Sequence, residues 1–302
     1  MRTLKTICLL LCVILCASCG GTENEVKVLQ KNVGLQMYSL RADINNEAIG
    51  IDSIINVIGA MGYKYVETAS YSDGQIYGMD PVTFKQKCEA AGFYPLSCHV
   101  GRDLGKNPQD QDIDWDAIWA WWDLCIQTHK DAGMKYIVTP SMPTPDTLEG
   151  LQVYCDYYNA IGEKCRAAGM KFGYHNHAFE IEKVYRNEET RITMYDYMLQ
   201  NTNPDNVFFQ LDVYWSVMGR RSPVDLFKKY PGRFEVLHIK DDKELGESGM
   251  LGFDAIFKNL DKAGTKYLIV EVESYNFTPI ESVKRSLDYL NNAEFVKEDY
   301  SK

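Results

Sequence analysis

The sequence lacks several features that would assign it to a class at once. The apolar run at Ile7–Leu15 is too short to span a bilayer, and no low-complexity segment or charged linker divides the chain after it. Positive charge is scarce, with 32 lysines and arginines against 42 aspartates and glutamates, a net charge of −10. Such a surface repels phosphate backbones, so without a local basic patch we expect no nucleic acid partner.

The N-terminus has the order of an export signal, with basic Arg2 and Lys5, the short apolar run, and small residues before a polar stretch. Cys19, directly after Ala-Ser, resembles the lipobox cysteine of bacterial lipoproteins. That resemblance implies cleavage before Cys19 and acylation of its sulfur. We therefore expect an exported lipoprotein, anchored on the periplasmic side of a membrane by this lipid alone. A plain secretory signal or an uncleaved anchor is the alternative.

Removal of residues 1–18 leaves 284 residues (302 minus 18), a length that suits one large domain. The mature net charge is then 30 minus 42, or −12. No CxxC pair occurs among the five cysteines after the signal, so we interpret them as mostly buried small hydrophobes. Export would allow one disulfide among them. They are Cys88, Cys98, Cys125, Cys155 and Cys165.

Eight strand-like apolar runs alternate with stretches that suit helices. The runs are Val33–Leu40, Tyr63–Ala69, Tyr94–Val100, Tyr136–Ser141, Lys171–His177, Val207–Trp215, Phe234–Asp241 and Tyr267–Glu273. Four helical stretches end at a glycine just before the next run, which is a helix C-cap signature. These glycines are Gly92, Gly133, Gly169 and Gly264. Repeated joints of one kind indicate repeated βα units, and therefore parallel strands with helices outside.

Eight βα units can close into a (β/α)8 barrel or lie open as a doubly wound sheet. The open sheet usually carries a GxGxxG phosphate turn after its first strand, whereas the turn here reads SLRAD at residues 39–43. We therefore predict an α/β fold, a (β/α)8 TIM barrel over residues 32–295. A tether at 19–31 would precede it and a tail at 296–302 would follow it.

Histidines and carboxylates collect near the ends of the predicted strands, which form the active-site rim of a (β/α)8 barrel. The histidines there are His99, His175, His177 and His238, and the carboxylates are Glu67, Asp212 and Glu271. His129 instead falls on a helix, where we expect a solvated surface position. Residues i and i+2 of a strand share a face, which predicts that His175 and His177 point the same way. The other pairs are Asp212 with Tyr214, His238 with Lys240, and Glu271 with Glu273.

A charged group within an apolar strand is costly to bury unless it is paired or bound to a metal. Two carboxylates and two imidazoles from the last four strands have the chemistry to bind one divalent ion. Mixed nitrogen and oxygen ligands leave Mn²⁺, Zn²⁺, Co²⁺ and Mg²⁺ open. Four separate hydrogen-bonded core residues are the alternative, which convergence on one rim disfavours.

Four segments together resemble the xylose isomerase-like barrels, a superfamily labelled sugar phosphate isomerase/epimerase that also contains apurinic endonucleases. The segments are Gly173–Glu180, Leu211–Trp215, Leu237–Asp241 and Ile269–Glu273. In the ketose epimerases of this group, Glu, Asp, His and Glu from strands five to eight hold one metal. The resemblance implies Asp212, His238 and Glu271 as three of these ligands. His175 stands in place of the strand-five glutamate, with His177 as a near competitor.

This departure bears on the reaction, because the two glutamates also form the acid–base pair of those epimerases. The resemblance implies an isomerase or epimerase that abstracts an α-proton from a sugar or keto-sugar through a metal-stabilised enediolate. Loss of a β-substituent instead would make the enzyme a 3-keto-glycoside lyase. A non-catalytic sugar-binding lipoprotein and a nuclease are alternatives of other classes. Trp215 stands where an endonuclease histidine would lie, which argues against a trinuclear site.

We place further residues around a small carbohydrate substrate. Glu271 is a ligand and a candidate base, and Lys240 can polarise an oxygen unless it only pairs with Asp241 or Glu273. The other acid–base candidates are His99 and Glu180, the latter with a surface loop position as its alternative. The substrate-binding candidates are Glu67, which could instead orient a ligand, His177, and the aromatic residues Tyr38, Phe179, Tyr214 and Trp215, which could instead pack in the core. An aromatic run could seat a partner in an oligomer, although core packing is favoured: Trp115, Trp119, Trp121 and Trp122.

Overall fold

The computed structural model describes residues 30–186 and 191–302, and within them eight parallel strands close into a barrel. In all, the described residues form ten strands: β1 (Gly34–Gln36), β2 (Tyr65–Thr68), β3 (Tyr94–His99), β4 (Tyr136–Thr139), β5 (Lys171–His175), β6 (Val184–Arg186), β7 (Arg191–Thr193), β8 (Val207–Asp212), β9 (Val236–Lys240) and β10 (Tyr267–Glu271). Strands β6 and β7 form a separate antiparallel pair, and the others close in the order β1-β10-β9-β8-β5-β4-β3-β2. The predicted (β/α)8 barrel is confirmed.

Helices cover the outside of the barrel. They are α1 (Arg41–Ile44), α2 (Gly50–Met61), α3 (Pro81–Ala90), α4 (Trp115–Asp131), α5 (Leu148–Ala167), α6 (Ala178–Glu182), α7 (Met194–Asn201), α8 (Val213–Met218), α9 (Pro223–Lys229), α10 (Phe253–Phe257), α11 (Leu260–Ala263) and α12 (Pro279–Asn292). Short 3-10 helices lie at Met37–Leu40 and Pro108–Asp110. None of these helices is both long enough and apolar enough to cross a membrane.

Local sequence sets where helices begin and end. Asp80 accepts a hydrogen bond from Thr83 N at 3.0 Å and caps α3, whose first residue is Pro81. The four glycines predicted as C-caps all have positive φ, between 75° and 93°. Glycine adopts this conformation without a steric penalty, so the chain can turn from each helix into the next strand.

Alternation along the strands separates an apolar lower barrel from a polar rim. In β9, Val236 packs inside the barrel and Leu237 packs outward against the helices. His238 and Lys240 share the parity of Val236, so they follow it up the interior. In β10, Tyr267 and Ile269 belong to the interior cluster. The polar groups therefore stand on an apolar plug, whose members are Tyr65, Leu96, Tyr136, Val138, Phe208, Val236, Tyr267 and Ile269.

Several strands end earlier than the sequence predicted. β8 stops at Asp212, because its carboxylate accepts a hydrogen bond from Trp215 N and so starts α8. Tyr214 and Trp215 are therefore helical, and the expected strand-face pairing of Asp212 with Tyr214 is wrong. His177 likewise follows β5 as the N-cap residue of α6, and Tyr38 lies in a 3-10 helix.

The predicted surface position of His129 is also wrong, because this side chain is 0% exposed. His129 lies four residues after Cys125 and seven after Trp122 on the buried face of α4. Its Nδ1 donates to the Cys125 carbonyl oxygen at 2.7 Å. Trp122 is fully buried, as the core interpretation of the tryptophan run predicts, whereas Trp115 is 37% exposed.

Both ends of the described chain contact the barrel. Lys31 Nζ donates to the Leu290 carbonyl oxygen, and Asn32 N donates to the Glu298 carbonyl oxygen at 2.7 Å. Val296 is buried, and Asn32 Nδ2 donates to Asp299 Oδ1 at 3.0 Å, so the segment assigned to a tail contacts the residues just before β1. The five cysteines after the signal are buried free thiols, and no disulfide joins them. The predicted signal peptide and Cys19 lie outside the described residues.

Candidate active site

Four neighbouring strands bring polar side chains together at the C-terminal rim. His175, Asp212, His238 and Glu271 belong to β5, β8, β9 and β10, which are adjacent in the barrel. One nitrogen or oxygen atom of each lies within 4.8 Å of the others. All four residues are at most 5% exposed. The structure therefore brings together the four residues that the sequence proposed as metal ligands.

Asp212 has a buried carboxylate oxygen without a partner among the described residues. Its Oδ1 accepts from Trp215 N at 2.8 Å, whereas Oδ2 has no hydrogen bond. Burial raises the pKa of Asp212, although Lys240 and His238 oppose that shift. An unsatisfied buried acceptor costs about 1–3 kcal/mol. This orphaned oxygen and the mixed nitrogen and oxygen donors nearby fit a divalent cation.

The two nitrogens of His238 face different carboxylates. Nδ1 lies 3.3 Å from Glu271 Oε2, within the cluster, and Nε2 lies 2.6 Å from Glu67 Oε1, beneath it. Burial opposes a charged imidazole, but the two carboxylates raise the pKa of His238 to about 10. A ligating histidine commonly donates its second N–H to a carboxylate, which fixes its orientation. His238 has this arrangement, which would leave Nδ1 to face a cation.

His175 is held as a neutral imidazole. Its Nδ1 lies 3.1 Å from Gln210 Oε1, which accepts the ring proton. Burial, reinforced by the neighbouring imidazoles, places the pKa of His175 well below its usual value. The hydrogen bond to Gln210 therefore assigns the proton to Nδ1 and leaves the Nε2 lone pair for a cation.

Glu67 is the centre of a buried hydrogen-bond network beneath the cluster. Its Oε1 accepts from Gln36 and His238, and its Oε2 accepts from Ser97 and Gln210, at distances of 2.6 to 2.8 Å. Burial opposes its charge, but the imidazoles of His99 and His238 hold the pKa of Glu67 well below its usual value. Both oxygens are occupied, so of its two suggested roles the geometry supports orienting a ligand.

His99 joins the same network from the cavity side. The rings of His99, His175 and His238 lie close enough to form a second group that could hold an ion. However, His99 Nε2 lies 2.7 Å from Gln210 Oε1 and 2.9 Å from Glu67 Oε1. This nitrogen therefore donates within the network, and His99 supports the positions of Gln210 and Glu67.

A cavity of about 290 Å³ adjoins the cluster. Its wall is formed by Tyr38, Ala69, His99, Pro140, His175, His177, Glu271 and Glu273. Two cluster residues are in this wall, so a molecule in the cavity touches the cluster. A larger depression of about 760 Å³ lies between the start of α5 and β6 and includes none of the cluster residues. The smaller cavity is therefore the candidate substrate site.

Lys240 lies between two carboxylates at the edge of the cluster. Its Nζ is 2.5 Å from Glu273 Oε2 and 3.5 Å from Glu271 Oε2. Burial opposes the ammonium, but the neighbouring carboxylates hold the pKa of Lys240 above its usual value. Burial would raise the pKa of Glu271, but Lys240 and His238 hold it well below the usual range. Both groups are therefore charged.

Glu180 is buried, in contrast to its alternative as a surface loop residue. Its carboxylate accepts from the Tyr174 hydroxyl at 2.7 Å and from His177 N at 2.8 Å, which fixes the start of α6. Burial raises the pKa of Glu180 to about 7. Glu180 thus supports the backbone that carries His177, a residue of the cavity wall.

The aromatic candidates lie in three places around the cluster. Tyr38 lines the cavity and is 42% exposed, with the Arg41 guanidinium 4.3 Å from its ring centroid. Tyr214 and Trp215 instead lie beside Lys240, whose Nζ is 6.0 and 5.8 Å from their ring centroids. Phe179 stacks on His177 at 6.1 Å.

Sequence reasoning missed several residues of the network. Gln36, Gln210, Ser97 and Asn176 are fully buried and hydrogen-bonded to the cluster or to Glu67. Gln210 could have been predicted from the sequence, because it is a polar residue within an apolar strand and lies two positions before Asp212 on the same face. Gln36 is likewise a polar residue within the apolar run of β1.

A family model and two solved structures of known proteins match most of this chain. Residues 55–293 match the family model described as xylose isomerase-like TIM barrel. A sugar phosphate isomerase/epimerase structure from Parabacteroides distasonis ATCC 8503 is 34% identical, covers 88% of this chain and 100% of that chain, and has a TM-score of 0.78. A second such structure from that organism is 31% identical, covers 89% and 96%, and has a TM-score of 0.80.

Another relative has a name that indicates a different reaction, a dehydration. The inosose dehydratase of Geobacillus kaustophilus (strain HTA426) is 23% identical over 207 residues. The match covers 63% of this chain, and the chain spans only 61% of that dehydratase. Isomerases or epimerases and a dehydratase are thus both among the proteins that this chain resembles.

Proposed function

The chain belongs to the xylose isomerase-like TIM barrel family, and we propose that it is a divalent-metal-dependent isomerase or epimerase of a sugar or keto-sugar. The reaction would remove the proton next to a carbonyl and return a proton to give the isomer or epimer. One observation carries this proposal: four donor groups from adjacent strands converge beside a cavity, and one of them has a carboxylate oxygen with no partner in the described part of the chain. The enzyme class agrees with the relatives of the chain.

His175, Asp212, His238 and Glu271 would hold the cation. When bound, the cation would polarise the substrate carbonyl and stabilise the charge that develops as the neighbouring carbon loses its proton. The donor set, two imidazole nitrogens and two carboxylates, suits Mn²⁺, Zn²⁺, Co²⁺ or Mg²⁺. Gln210 and Glu67 would hold the two imidazoles in the tautomers that point a lone pair at it.

Glu271 is the base that the geometry supports best. It lies in the cavity wall, and the charges around it keep its carboxylate ionised. Lys240, beside it, can donate a hydrogen bond to a substrate oxygen. His177 and Tyr38 line the same cavity and can contact the substrate hydroxyls and ring. The small volume and polar wall favour a small carbohydrate.

A β-eliminating lyase, such as a 3-keto-glycoside lyase, is a second candidate. It begins with the same proton abstraction but then loses a substituent from the β-carbon. His175 favours it, because this imidazole, with Nδ1 bonded to Gln210 and with Nε2 as the atom that would hold the cation, cannot serve as the second glutamate of an epimerase pair. The likeness to a dehydratase points the same way.

Isotope exchange tests the shared step. The full chain with Mn²⁺ is incubated in deuterated water with a panel of ketoses and 3-keto-glycosides, and deuterium at the α-carbon is followed by NMR. We expect deuterium entry, with epimer formation identifying an epimerase and release of an aglycone identifying a lyase. Glu271→Gln should abolish exchange, whereas Glu235→Gln, in a buried ion pair near the start of β9, should retain it. Tight sugar binding without exchange would identify a non-catalytic binding protein.

The enzyme would act outside the cytoplasm as a lipoprotein acylated on Cys19. This part of the proposal rests on the N-terminal sequence alone. It fits unphosphorylated substrates, since sugar phosphates are mainly cytoplasmic, and the mature charge of −12 (30 minus 42) disfavours nucleic acid. Metabolic labelling with an alkyne fatty acid should mark the chain, and Cys19→Ala should lose the label.

A further inference from the structure

We propose that Glu273 is a positioning residue that holds the Lys240 ammonium away from Glu271 and so keeps the Glu271 carboxylate available to a metal ion. This inference rests on the proposed function. It assigns a role to Glu273, which lies two residues beyond β10 in the cavity wall.

The positions of three charges carry the argument. Lys240 and Glu271 are register partners on β9 and β10, so their side chains rise next to each other. Lys240 Nζ is nevertheless closer to Glu273 Oε2, at 2.5 Å, than to Glu271 Oε2, at 3.5 Å. Glu273 therefore provides the stronger of the two contacts.

Burial strengthens the effect of Glu273 on the position of the Lys240 ammonium. The side chains of Lys240 and Glu271 are 3% and 7% exposed, whereas that of Glu273 is 31% exposed. Charges that are removed from water attract each other more strongly. Without Glu273, the ammonium would have Glu271 as its nearest carboxylate, and the oxygen that faces His238 Nδ1 would be drawn into an ion pair.

An ammonium bound tightly to Glu271 would compete with a cation for the same oxygen. Groups that orient metal ligands typically change metal affinity by about 10–100-fold when they are substituted. Glu273 could also attract a cation directly through its own charge. The two effects differ in one respect, because only the positioning effect requires Lys240.

A double-mutant cycle separates them, with Mn²⁺ alone as the probe and its Kd measured by calorimetry on the full chain. The variants are Glu273→Gln, Lys240→Met and the two combined. We expect Glu273→Gln to weaken Mn²⁺ binding about tenfold when Lys240 is present and less than about twofold in the Lys240→Met background. Asp254→Asn, which neutralises the carboxylate of an exposed lysine pair, should leave the Kd unchanged.

Two results would overturn the inference. An equal loss of affinity in both backgrounds would show that Glu273 acts through its own charge, and no loss in either would show that it does not act on the metal site. Glu273→Ala gives the same cycle if the glutamine variant fails to fold, as thermal unfolding will show. If the unsubstituted chain binds no Mn²⁺, the proposed function fails together with this inference, whereas binding that is indifferent to Glu273 refutes the inference alone.

Discussion

His238 donates from Nε2 to Oε1 of Glu67 across 2.6 Å, and both side chains are completely buried. This contact fixes which nitrogen of His238 faces the cluster, because the proton on Nε2 is held by the carboxylate. Nδ1 then points toward Glu271. A residue below the cavity thereby controls the chemistry of a residue within the cluster.

Replacement of Glu67 should weaken metal binding without removing any ligand. Glu67→Gln loses the charge that orients His238, and we expect the Kd for Mn²⁺ to rise by about 10–100-fold in calorimetric titrations. Glu235→Gln is the matched control, since Glu235 is also a buried carboxylate but pairs with Lys171 and Lys266 near the starts of the strands. An unchanged Kd in Glu67→Gln would refute the orienting role.

Asp212→Asn should separate metal binding from folding. Asparagine is as good an N-cap as aspartate, so the hydrogen bond from Trp215 N that starts α8 should survive. We expect the free energy of unfolding without added metal to change by less than about 1 kcal/mol, while Mn²⁺ binding falls at least about tenfold. Urea unfolding and calorimetry measure the two quantities. Equal Mn²⁺ affinity in variant and unsubstituted protein would contradict the assignment of Asp212 as a ligand.

Metal binding should tighten as the pH rises. The flanking carboxylates raise the pKa of His238 to about 10, so its imidazole is protonated at neutral pH and a metal must displace the Nδ1 proton. Between about pH 7 and pH 10, each unit of increase should therefore lower the Kd for Mn²⁺ about tenfold. Below about pH 7 the dependence should be steeper, because burial raises the pKa of Asp212 to about 7 and its carboxyl group must also lose a proton to bind the metal. Titrations from pH 6 to pH 8, in buffers of different ionisation enthalpy, measure both the Kd and the proton released. A Kd that does not change with pH would contradict this assignment.

His129 should make the fold sensitive to acid. Burial lowers the pKa of this histidine to about 4, whereas an unfolded histidine titrates near 6.5. Between pH 6.5 and pH 4 the unfolded chain therefore binds a proton that the folded chain does not. The free energy of unfolding keeps its full value above pH 6.5 and decreases as the pH falls toward 4. The loss from this group is on the order of 3 kcal/mol.

Urea unfolding of the unsubstituted protein and of His129→Phe, between pH 7 and pH 4, tests this prediction. The two proteins share every other titrating group, so the difference in their pH dependence isolates His129. The free energy of unfolding should depend less on pH in the variant, even if its absolute value is lower. Parallel curves would show that His129 does not titrate as proposed.

Much of the fold follows from local sequence signals. Repeated apolar runs with Gly92, Gly133, Gly169 and Gly264 at helix ends predict the βα units, and the absence of a GxGxxG turn favours closure. Strand periodicity also explains why the cluster residues were found. Polar residues that fall late in apolar runs must face either the helices or the barrel interior, and a rim is where burial of charge can be compensated.

Local signals did not predict the burial of some polar side chains or the ends of some strands. His129 lies four residues after Cys125 and seven after Trp122 on one face of α4, and this spacing was available from the sequence, but the depth of its burial depends on how α4 packs on the barrel. The ends of strands were also misread, since the start of α8 depends on the Asp212 side chain turning back to cap Trp215 N. Propensity extends the apolar run through Trp215, and the cap overrides it.

The repeated βα order and the gathering of polar residues near the strand ends can be predicted from the sequence, because both follow from spacing along one chain. What each side chain faces depends on how the strands and helices pack together. The contact of Glu67 with His238 joins residues 171 positions apart, and the division of Lys240 between Glu271 and Glu273 depends on the register of two neighbouring strands. Such contacts are set by barrel closure, which no local pattern encodes.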